Sequence, residues 1–145
     1  MNEEELQAYR EQLRCKFPII DEHFEDFIKD ALRHLSAEAI EAYLKGASTV
    51  CMIGRGVEPV LIFLEEMPEM AERVSENIIQ KTADQVWIMS RSPNGNAIPS
   101  FLNSLNEVTR CLPTEDQMDE YLDLVNHLAE ETAGSIHGHH TTFPS

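Results

Sequence analysis

Basic residues are scarce in this chain: 11 lysines and arginines stand against 26 aspartates and glutamates, a formal net charge of −15 over 145 residues. So acidic a chain repels phosphate, which excludes a general nucleic-acid or anionic-membrane surface. Long apolar runs are missing too. No window approaches the roughly 18 apolar residues of a membrane-spanning helix. The start, Met1-Asn2-Glu3-Glu4-Glu5, reverses the basic-then-apolar order of a secretion signal. Cysteine is rare. Cys15, Cys51 and Cys111 lie far apart, with no pair at metal-ligand spacing. An odd count without a signal suits reduced thiols in a cytoplasmic protein, each expected as a small core hydrophobe. Aromatics make up only 7%, yet hydrophobic residues reach 42%, enough to build one core.

Catalytic motifs are also missing. Gly54-Arg55-Gly56 and Asn94-Gly95-Asn96 lack the lysine or the dinucleotide spacing of a phosphate loop. There is no Gly-x-Ser-x-Gly elbow. The Asp-x-Ser-x-Ser metal loop of von Willebrand A domains is absent. His137, His139 and His140, with His127 a helix away, are ligand types for zinc, copper or nickel, but they have no companion ligand at defined spacing. Di-iron helices need Glu-x-x-His, and Asp123-x-x-x-His127 is the nearest approach. The expectation is a chain with no catalysis, no cofactor and no metal.

What is present is helical periodicity. Leu6, Tyr9, Leu13 and Phe17 recur at steps of three and four, which predicts a first helix over Glu3 to Cys15. Asp21 is the expected N-cap of a second, running to His34 with Phe24, Phe27, Ile28, Ala31 and Leu35 on one face. Ser36 caps a third, whose stripe is Ile40, Tyr43, Leu44, Ala47 and Cys51, and Gly54-Arg55-Gly56 ends it. A fourth starts near Val57. At Met67-Pro68 it either kinks or gives way to another helix, through about Val74. The fifth spans Ser75 to Ser90, with Trp87 expected in the core or as an interface anchor. Ser92 to Asn96 is a loop. The sixth spans Pro99 to Leu112. The seventh opens on the capping box Thr114-Glu115-Asp116-Gln117 and buries Met118, Tyr121, Leu122, Val125, Leu128 and Ala129. From Gly134 a loop is expected.

The chain also repeats. Phe63-Leu64-x-x-Met67-x-Glu69-Met70 is echoed 38 residues on by Phe101-Leu102-x-x-Leu105-x-Glu107-Val108, and Phe143-Pro144-Ser145 offers a further start. Units of roughly 40 residues mark helical solenoids. The predicted fold is all-α: a right-handed stack of about seven antiparallel helices with solenoid-like repeats over residues 1–134. A flexible tail over 135–145 is expected to be a truncated further repeat.

One surface feature stands out. Thr114 to Thr132 holds seven acidic residues and no lysine or arginine. Asp116, Asp119, Glu120 and Asp123 form an acidic ridge on the seventh helix. Like charges along a helix cost stability, which gives a basic partner a role. Arg55 and Arg91, near the repeat loops, are candidate partner anchors or helix C-caps.

Leu35-Ser36-Ala37-Glu38-Ala39-Ile40-Glu41-Ala42-Tyr43-Leu44, Gly54-Arg55-Gly56-Val57-Glu58-Pro59-Val60 and Phe63 through Ala71 resemble the N-terminal helical region of the CbbO and NorD proteins. The resemblance extends through Pro99-Ser100-Phe101-Leu102 and Tyr121-Leu122-Asp123-Leu124. It implies an adaptor domain that docks on the hexameric ring of a MoxR-type AAA+ ATPase. In the CbbO branch the pair looks like a Rubisco activase, with Rubisco as client of the full protein. In the NorD branch it is implicated in maturing nitric oxide reductase. A generic helical scaffold is the alternative. The metal-binding A domain of the family lies outside these residues, so no metal-borne client contact is implied here.

Overall fold

A computed structural model describes the backbone of residues 2–91, 93–112 and 114–142, and side chains through Ala129 except Asp30, Pro93 and Asn94. It is all-α. Seven α-helices run in order: α1 (Glu3–Lys16), α2 (Ile19–His34), α3 (Ala37–Met52), α4 (Glu58–Ala71), α5 (Glu76–Ser90), α6 (Ile98–Cys111) and α7 (Glu115–Thr142). A 3-10 turn, Pro93–Ala97, precedes α6. The described residues contain no strand.

The helices form two layers. α1, α3, α5 and α7 contact one another in sequence, and α2, α4 and α6 do the same; α1 also meets α2, and α3 meets α4. Side-chain bonds between layer neighbours keep sequence separations of 33 to 41 residues, so neighbours within a layer run the same way. That is solenoid-like packing. Each helix pair packs on the pairs beside it in the stack.

The repeat has a sharper period in one layer. Ser36, Ser75 and Thr114 stand immediately before α3, α5 and α7, at steps of 39 residues. The buried sets Ile40, Ile79 and Met118, and Leu44, Ala83 and Leu122, follow the same step. In the other layer the 38-residue register holds: Val60 and Ile98, Leu64 and Leu102, and Met67 and Leu105 are all fully buried.

Two helix boundaries, the start of α2 and the end of α7, differ from expectation, and at Pro68 the one-helix alternative is the one observed. α2 starts at Ile19, with Pro18 rather than Asp21 at the N-cap. Pro18 lacks an N–H, and a first-turn position needs none. Asp21 instead accepts from Arg10 Nε of α1 at 2.8 Å, while the Arg10 guanidinium also pairs with Glu25 and lies 5.4 Å over the Phe24 ring. α4 is a single helix running through Pro68. Proline removes the N–H that would reach the carbonyl of Leu64, and the Tyr43 hydroxyl of α3 donates to that carbonyl at 2.5 Å. The lost helical bond is replaced by one between layers. The backbone of α7 stays helical through Thr142, where a loop was expected from Gly134. Phe143 to Ser145, the proposed further repeat start, lie outside the described residues, as do the side chains of the 135–145 segment.

Close approach of the layers depends on Gly46. A Cβ there would stand 2.5 Å from Phe63 Cζ. α3 ends as expected: Gly54, at φ +74°, takes the left-handed backbone that glycine adopts without steric penalty.

Candidate functional site

The acidic ridge is set by the start of α7. Thr114 Oγ1 accepts from the Gln117 amide at 3.2 Å, and Gln117 Oε1 accepts from the Thr114 amide at 3.2 Å, so the capping box forms as predicted. From that start the helical period carries Asp116, Asp119, Glu120 and Asp123 onto the side away from Met118 and Leu122, which are buried. The four carboxylates are not equivalent. Asp119 and Asp123 each meet Lys81 Nζ of α5 at 2.6 Å. Burial disfavours the Lys81 ammonium, but its hydrogen bonds to the two aspartates outweigh that, and its pKa is raised. Half of the ridge therefore ties α5 to α7. Asp116 and Glu120 are exposed, and neither is in an ion pair among the described residues.

Periodicity extends the ridge. In the 39-residue register Asp116 follows Glu38 and Asn77, Asp119 follows Glu41 and Gln80, and Asp123 follows Lys45 and Asp84. A groove of about 300 Å³ between α3 and α5 is lined by Glu38, Glu41, Lys45, Glu76, Asn77 and Gln80, along with Ala42. The Lys81 bridges join α5 to α7 at the equivalent level. One acidic face thus crosses three helices, with Lys45 and Lys81 the cations set into it. The sequence reading found only its α7 end. Glu38, Glu41, Glu76 and Asp84 were missed because the 39-residue step through Ser36, Ser75 and Thr114 was not recognised.

Arg55 and Arg91 do not join this face. Arg55 Nη2 donates to the Ser90 carbonyl at 2.7 Å, and its guanidinium lies against Gly95, where a Cβ would stand 2.5 Å from Cζ. It ties the loop after α3 to the loop after α5. Arg91 is the exposed C-cap of α5. Two other arginines, not singled out from sequence, organise the second layer. Arg73 Nη2 donates to Asn106 Oδ1 at 3.0 Å and Thr109 Oγ1 at 2.7 Å, Asn106 Nδ2 donates to Glu66 Oε2 at 2.7 Å, and Arg110 pairs with Glu69. These charges are matched across α4 and α6, and they brace the stack.

The expectation that every cysteine is a core residue is overturned, and of the two readings of Trp87 the core one is removed. Cys51 is buried, but Cys15 and Cys111 are exposed on α1 and α6, and all three are free thiols. Each of the two exposed cysteines sits in the last turn of its helix, off the buried stripe. Trp87 is 42% exposed on α5, so the core does not enclose it; Val86 and Met89 take the inward positions.

No group of three or more His, Cys, Asp or Glu residues that could hold a metal is found among the described residues. The side chains of His137, His139 and His140 lie outside them. No helix among the described residues is long and apolar enough to cross a membrane. Comparisons of the chain with family models, with curated proteins and with solved structures return no match.

Proposed function

We propose that this chain is a non-catalytic adaptor domain that docks through its acidic face onto a basic surface of a MoxR-type AAA+ ATPase ring, as part of a Rubisco activase complex. The observation that carries the docking reading is the continuity of the acidic face over α3, α5 and α7. A solenoid offers a broad, rigid surface for a partner, and complementary charge raises the rate and selectivity of encounter. Asp116 and Glu120 are the residues of choice on α7, since Asp119 and Asp123 already hold Lys81. The choice of ATPase and client rests on the resemblance described above.

The test is light scattering on a sizing column, with the chain mixed with the MoxR-type ATPase, with and without ATP. Co-elution at a defined ratio is expected. The double substitution D116K/E120K should weaken it and flatten its salt dependence, while D119N, which touches the internal bridge, should act mainly on stability. Separate elution in every nucleotide state would move the assignment to a scaffold for another basic partner.

A further inference from the structure

The repeat leaves one stripe of α7 open to solvent. On α3, Tyr43, Gly46, Ala47 and Val50 recur at steps of three and four and turn toward α4: the Tyr43 hydroxyl meets the Leu64 carbonyl, and Gly46 lies against Phe63. All four are buried. Their counterparts 39 residues on, Thr82, Gln85, Val86 and Met89 of α5, are buried too, and α5 meets both α4 and α6. One step further stand Tyr121, Leu124, Val125 and Leu128 of α7. Leu124 and Leu128 are 56% and 52% exposed, and Tyr121 and Val125 are half-buried. Periodicity alone puts Leu128 in the core; it is exposed because, among the described residues, the second layer ends at α6. The stripe also lies on a different side of α7 from Asp116, Asp119, Glu120 and Asp123. A charge on α6 repeats the pattern. Glu69 of α4 pairs with Arg110 of α6. Its counterpart 38 residues on, Glu107, is exposed and in no ion pair among the described residues.

We propose that Leu124 and Leu128, together with Glu107 of α6, form a docking surface for one amphipathic helix of a partner protein, which continues the second layer in the place that α4 and α6 take over α3 and α5. The stack defines the chemistry of that helix. α6 occupies the preceding place, with Ile98, Phe101, Leu102 and Leu105 buried at i, i+3, i+4 and i+7, and with Arg110 at i+12 on Glu69. The partner helix needs an apolar stripe of the same spacing and a basic residue near i+12 to meet Glu107. Burial of the two leucines supplies the attraction, and the charge pair fixes direction and register. A second copy of this chain has the wrong charge for the place, since each copy carries a formal −15.

The probe is a fluorescent peptide of residues 97–112, the α6 sequence with Cys111→Ser, titrated with the full chain and followed by anisotropy. Saturable binding of one peptide per chain is expected. L124E/L128E in the chain should weaken it by roughly tenfold or more, as should Leu102→Glu in the peptide. Both leucines of the chain are exposed; if the double variant nevertheless fails to fold, the milder Leu124→Gln decides. Glu107→Lys in the chain should weaken binding by roughly twofold to fivefold, and a peptide carrying Arg110→Glu should recover that loss. D116K/E120K should leave binding unchanged, which separates this surface from the acidic docking face. No binding to the unsubstituted chain, equal binding to L124E/L128E, or an equal loss in D116K/E120K would each overturn the proposal. So would a dimer of the chain that L124E/L128E breaks, because the occupant would then be a second copy.

Discussion

α4 and α6 occupy the same place in successive repeats, yet they complete their backbones differently. In the 38-residue register Pro68 of α4 corresponds to Asn106 of α6. Pro68 leaves the Leu64 carbonyl without its helical donor, and Tyr43 of the other layer supplies one. Asn106 keeps its amide for its own helix and uses its buried side chain on Glu66 of α4 and on Arg73 in the turn that follows α4. The same division appears in the facing layer. Thr82, 39 residues after Tyr43, bonds within its own helix to the Ile78 carbonyl at 2.8 Å. A repeat thus preserves burial while leaving each unit free to satisfy its polar groups by its own route, because the hydrophobic term is non-directional and the hydrogen bond is not.

Three perturbations sharpen the comparison. The largest concerns the equivalent phenylalanines. Phe63 is fully buried beside Gly46 and 6.4 Å from the Tyr43 ring, whereas Phe101 is 8% exposed. Phe63→Ala should cost about 3–5 kcal/mol in chemical denaturation, and Phe101→Ala measurably less. Equal losses would mean that α4 and α6 are packed alike against their neighbours. Next comes the tyrosine. Tyr43→Phe should cost about 1–3 kcal/mol by orphaning a buried carbonyl. In a Pro68→Ala background the helix can make its own bond, and the cost should shrink by about 1 kcal/mol or more. A double-mutant cycle with no coupling would break the pairing of Tyr43 with Pro68. The smallest effect is in the caps. Ser36 Oγ accepts from the Ala39 amide at 3.1 Å and Thr114 caps Gln117, but Ser75 Oγ makes no cap bond and is buried without a partner. Ser36→Ala and Thr114→Ala should each cost about 1 kcal/mol, and Ser75→Ala close to none. A matching loss at Ser75 would show that all three caps work alike.

The legible part of the molecule was its period-3.6 patterning. Leu6 to Leu13, Phe24 to Ala31, Ile40 to Cys51 and Met118 to Leu122 announce helices because residues three and four apart share a face whatever the surroundings. The Ser36 cap and the Thr114 capping box were readable for the same reason: donor and acceptor lie within one turn. The start of α2 was not, since both Pro18 and Asp21 suit a first turn and only the pairing of Asp21 with Arg10 separates them. Along the candidate face, the clustering of Asp116, Asp119, Glu120 and Asp123 was visible as local spacing. Its partition was not, because Lys81 stands 38 residues from Asp119.

By itself the sequence determined the helices, most of their ends, a recurring unit of about 40 residues and a strongly acidic surface, all of which follow from spacing within a turn or from composition. Only the tertiary structure decided which charges are spent inside the stack, that Tyr43 completes the helix Pro68 interrupts, that Arg55 spans two loops, and that Leu124 and Leu128 are exposed where their counterparts on α3 and α5 are buried. Those facts depend on which residues distant in the chain are brought together when one helix pair packs on the next, and such juxtapositions carry no signature in any short window of sequence.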